Sequence, residues 1–135
     1  MIAETLFGIG KDLFGIFSKL DERRLQRTVR VAEYFSNLAQ IIEDTSAYLK
    51  QGDYPHGECE NLRFHATKMK GTIGDLIGEG EAEAYANRVM DVWEIEQMHA
   101  ELIGVSPQER EDKLKILDEA AGYFRGVAAH LRVMS

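Results

Sequence analysis

The sequence predicts an all-α protein, an antiparallel up-down four-helix bundle with an additional amphipathic helix at its N-terminus. Three observations carry this reading. Apolar residues recur at alternating three- and four-residue steps through every long segment, the spacing of one helix face. Period-two alternation, the mark of a half-buried strand, is essentially absent. The two prolines, Pro55 and Pro107, stand between periodic segments rather than inside them.

The first segment, residues 2–19, contains a repeat. Leu6-Phe7-Gly8-Ile9 returns as Leu13-Phe14-Gly15-Ile16, seven residues or two turns later. Ile2, Leu6, Ile9, Leu13, Ile16 and Leu20 form one stripe, widened by Phe7, Phe14 and Phe17. Glu4, Gly8, Lys11, Gly15 and Ser18 lie opposite, so two glycines fall on the thin, polar side. Glycine inside a helix costs about 1 kcal/mol against alanine, which weakens the segment.

The second segment, residues 21–51, carries Val31, Phe35, Leu38, Ile42 and Leu49 on one face and ends at Gly52, a good left-handed cap. The third, residues 57–77, has Cys59, Leu62, Ala66, Met69, Ile73 and Leu76 on its stripe. Gly71, Gly74, Gly78 and Gly80 should weaken its C-terminal part. The fourth, residues 80–103, aligns Ala82, Ala86, Val89, Trp93, Glu96, Ala100 and Ile103. The fifth opens with a capping box, Ser106-Pro107-Gln108-Glu109, and buries Leu114, Leu117, Ala121, Phe124, Ala128 and Leu131. Gly122 and Gly126, four apart, permit close approach of a neighbour. Short connections imply antiparallel neighbours. The expected organisation is a single domain, with residues 1–20 as the amphipathic helix and 21–135 as the bundle.

Charge excludes one class of partner. The net charge of -7 argues against nucleic acid, which needs clustered Lys and Arg. The balance is uneven. Residues 1–30 hold six basic side chains against four acidic ones, and Arg23, Arg24, Arg27 and Arg30 follow the apolar stripe directly. An apolar face with arginines behind it describes an interfacial membrane helix as well as a core helix. The segment's mix of Gly, Leu, Phe and Ile is similar to that of viral fusion and membrane-lytic peptides. The candidate membrane- or partner-binding set is therefore Ile2, Leu6, Phe7, Ile9, Leu13, Phe14, Ile16, Phe17, Leu20, Arg23, Arg24 and Arg27.

The single cysteine, Cys59, allows no internal disulfide, which fits a reducing cytoplasm. Lys11 and Asp12 interrupt the apolar run before a signal peptide or a spanning helix could develop. The expected location is cytoplasmic, with a peripheral place at the inner face of the membrane as the alternative.

Signs of catalysis are sparse. Glu96 and His99 form a Glu-x-x-His on one helix face, the motif of ferritin-like di-iron proteins, for which Glu33 and Glu43 are the candidate completing ligands. A second such motif is missing, so the metal reading is secondary. Cys59 with His56 and His65 is one ligand short of a zinc site, and Cys59 reads as a small core residue. His130 stands alone near a C-terminus. Glu79, Glu81 and Glu83 suit the start of a helix rather than calcium. No nucleotide-binding or nucleophile motif occurs. No enzyme activity and no cofactor is expected.

Residues Tyr54-Pro55-His56-Gly57-Glu58-Cys59-Glu60-Asn61-Leu62 and Trp93-Glu94-Ile95-Glu96-Gln97-Met98-His99-Ala100-Glu101-Leu102 resemble short helical domains of cyanobacterial and related bacterial proteins. That resemblance implies an all-helical, non-enzymatic module over residues 30–103. An amphipathic helix ahead of a four-helix bundle also resembles, in architecture, the HeLo-type and MLKL-like bundles of cell-death proteins. It implies an effector that acts on membranes. The sequence thus leads to a contact module engaging a membrane surface or a protein partner. A ferritin-like metal protein and a structural homo-oligomer are the alternatives.

Overall fold

The computed structural model describes residues 2–19, 28–89 and 92–134. Among these the chain is all-helical, with seven helices and no strand. They are α1 (Ile2–Ser18), α2 (Thr28–Lys50), α3 (His56–Thr67), α4 (Met69–Ile77), α5 (Glu79–Val89), α6 (Val92–Ile103) and α7 (Pro107–Met134).

The longest helix, α7, is the spine. Its 28 residues span about 42 Å. It packs chiefly against α2 on one side and α1 on the other. Three polar contacts set the α2–α7 register: Lys50 Nζ donates to Asp118 at 2.9 Å, Arg125 Nη2 to Glu43 at 2.9 Å, and Arg132 Nη2 to Ser36 Oγ at 2.8 Å. Each step of seven residues down α2 is matched by seven up α7, so the pair is antiparallel with a heptad repeat. The expected stripes meet between these contacts. Val31, Phe35, Leu38, Ile42 and Leu49 are buried against Leu114, Leu117, Ala121, Phe124, Ala128 and Leu131.

The α1 helix lies parallel to α7. Gly10 sits opposite Ala120, Tyr123 and Phe124, and Phe14 opposite Gly126. A Cβ on Gly10 would stand 3.1 Å from Tyr123 Cβ and 3.3 Å from the Ala120 carbonyl, and one on Gly126 would stand 3.0 Å from the Phe14 ring. Glycine at both places lets the two backbones approach. Ala120 and Val127, which lie beside the expected α7 stripe, are buried as well. The α1 stripe is core: Ala3, Leu6, Ile9, Leu13 and Phe17 are each at most 1% exposed. Phe17, Phe35 and Phe124, one from each long helix, join with ring centroids 5.4 and 6.1 Å apart.

Segments three and four differ from expectation. Segment three is divided at Lys68 into α3 and α4, ahead of its glycines, and of these Gly78 closes α4 with φ +102°. At the division Lys68 N–H bonds the His65 carbonyl, a tighter turn than the α-helix makes, while the stripe Cys59, Leu62, Ala66, Met69 and Ile73 stays buried across the step. Segment four is divided into α5 and α6. Ala82, Ala86 and Val89 are buried as expected, but Ala100 and Ile103 are exposed and Leu102 is buried in their place. The stripe changes register between the two helices, so one heptad frame cannot serve both. The side chains of Trp93 and Glu96 lie outside the described residues.

Two helix ends follow their sequence signals. Gly52 adopts φ +83°, Gly52 N–H bonds Leu49 O, and Asp53 N–H bonds Tyr48 O, a Schellman closure of α2. At the start of α7, Glu109 N–H bonds Ser106 Oγ at 3.3 Å.

The glycines of α1 should behave oppositely when replaced. Gly10→Ala should lower stability by about 1–3 kcal/mol through overpacking against Tyr123. Gly15→Ala, where a Cβ meets nothing within 4 Å, should raise it by roughly 0.5–1 kcal/mol. Urea midpoints of the two variants check this.

Candidate functional site

Because α1 turns its stripe inward, two aromatic side chains at the edge of the stripe, Phe7 and Phe14, lie beside α7. Phe7 and Phe14 both meet Tyr123 edge-on, with centroids 5.2 and 6.0 Å apart. Phe7 and Tyr123 are half-buried, whereas Phe14 is 38% exposed. These three rings, with Glu119 and Gly122, line a groove of about 420 Å³ between the helices. A Cβ on Gly122 would meet nothing within 4 Å, so this glycine leaves the floor of the groove open. A groove of this kind can accept an apolar side chain or a helix ridge. It contains one carboxylate and no nucleophile–base pair.

The candidate residues named from the sequence therefore separate. Leu6, Ile9, Leu13 and Phe17 are sealed in the core, Ile16 packs half-buried against it, and Phe7 and Phe14 line the groove. The side chain of Ile2 and residues Leu20, Arg23, Arg24 and Arg27 lie outside the described residues. Arg30 is exposed at the start of α2. Tyr123, Gly122 and Glu119 were missing from the candidate set. Their signal was the Gly122–Gly126 spacing, which spoke of close approach without naming a side of α7.

The carboxylates proposed for a metal are directed elsewhere. Glu43 receives a bidentate bond from Arg125, whose guanidinium holds its carboxyl below the usual range, and Gln40 shares the same guanidinium. Glu33 is exposed on α2. His99 Nε2 stands 3.4 Å from the Gly52 carbonyl, and its ring meets Tyr54 edge-on at 5.2 Å, a contact that ties α6 to the α2–α3 turn. The side chain of Glu96 is outside the described residues. Among the described residues no group of three or more His, Cys, Asp or Glu is placed to hold a metal ion. Cys59 is buried with its stripe, and the His56 ring packs tilted against Tyr54 at the start of α3.

His65 joins α3 to α2 through a reciprocal pair. Tyr34 Oη donates to the His65 carbonyl at 2.8 Å, His65 Nε2 lies 2.9 Å from the Tyr34 carbonyl, and the rings stack at 4.2 Å. A carbonyl only accepts, so the hydrogen bond places a proton on Nε2. Burial raises the Tyr34 hydroxyl well above its ordinary range and lowers the pKa of His65, the Tyr34 carbonyl partly opposing the second shift.

No family model matches the chain, and comparison with curated proteins and with solved structures gives no match either. No helix among the described residues is long and apolar enough to cross a membrane.

The depressed His65 pKa implies a pH dependence of definite sign. As pH falls below about 6.5, the unfolded chain takes up this proton before the folded one, so stability is lost. His65→Gln retains an N–H donor but cannot titrate. Between pH 7 and pH 5 its stability should fall less steeply than that of the parent chain, as measured by urea unfolding at each pH.

Proposed function

We propose that this protein is a non-enzymatic helical interaction module, acting through contacts at the α1–α7 face rather than through turnover. The observation that carries the reading is the division of α1 into a sealed side and an accessible aromatic side. Within it, segments two to five supply the up-down bundle frame and α1 the additional amphipathic helix. Glu43, His65, His99, Asp118 and Arg125 are engaged in ion pairs and interhelical contacts, which suits a scaffold better than an active site.

A protein surface suits this face better than a bilayer. Insertion of α1 would withdraw Leu6, Ile9, Leu13 and Phe17 from the core. At about 1.5–3 kcal/mol for each large side chain, that is on the order of 6–12 kcal/mol, comparable with the whole stability of a domain. The exposed inner faces of α2 and α7 would add to it. A membrane role for α1, with Arg23, Arg24 and Arg27 on anionic headgroups, requires lipid to return that energy.

Hydrogen exchange distinguishes the two. In the contact-module reading, the amides of residues 6–17 exchange as slowly as those of α7, and vesicles of anionic phospholipid leave them unchanged. Fast exchange of α1 alone on adding vesicles would transfer the function to an inserted helix. Deleting residues 2–19 should unfold the chain, seen as lost helicity in circular dichroism.

A further inference from the structure

We draw no further inference here: the strongest candidate, the groove between α1 and α5 lined by Lys11, Lys19 and Tyr85, also holds the Asp12 carboxylate among its lysines, and nothing in the structure shows what covers it.

Discussion

The structure depends on one junction, where Phe17, Phe35 and Phe124 bring the three long helices onto a common centre. Each ring is fully buried. The Phe17–Phe35 contact is edge-on and the Phe35–Phe124 contact is stacked, arrangements that suit the aromatic quadrupole. Because α1 and α2 each reach α7 here, the junction fixes their levels along the spine. The two helices run antiparallel to each other and flank α7. The stripes above and below the junction are largely aliphatic and less directional, so these buried rings resist a shift in register.

Around this junction the two sides of α7 are held by different means. Against α2 the contact is a heptad seam bordered by Lys50–Asp118, Glu43–Arg125 and Ser36–Arg132. These bonds are exposed, so their energies are modest, on the order of 1 kcal/mol or less each. Their value lies in register, since a one-residue slip would break all three. Against α1 the contact is marked by close approach at Gly10 and Gly126. The result is a helix pair with a tight inner contact and an aromatic groove along its outer edge, and that groove is the surface on which function is proposed to rest.

Much of the fold was legible from apolar spacing. The stripes of α2, α3, α4 and α7 were readable because the buried face of each keeps one frame along its helix, and the caps at Gly52 and Ser106 are local signals that need no tertiary partner. The break at Lys68 and the change of buried face from Val89 to Leu102 were not readable. A heptad pattern can be continued across a bend, and the bend depends on what each half packs against. The groove was half legible. Phe7 and Phe14 stood out, while Tyr123 and Glu119 resemble ordinary flanking residues of a charged helix until α1 is placed beside them.

The sequence by itself determined that this chain is helical, where several helices end, and that residues 2–19 carry an apolar stripe that must be covered. It could not say by what, because an apolar stripe is stabilised equally by a protein core, a partner or a lipid interior. Only the tertiary structure decided that α7 covers it, since the two backbones approach closely where Gly10 and Gly126 leave room for Tyr123 and Phe14. It also decided which aromatics were left over, because the angle at which α1 meets α7 sets how far each ring on the edge of the stripe turns inward.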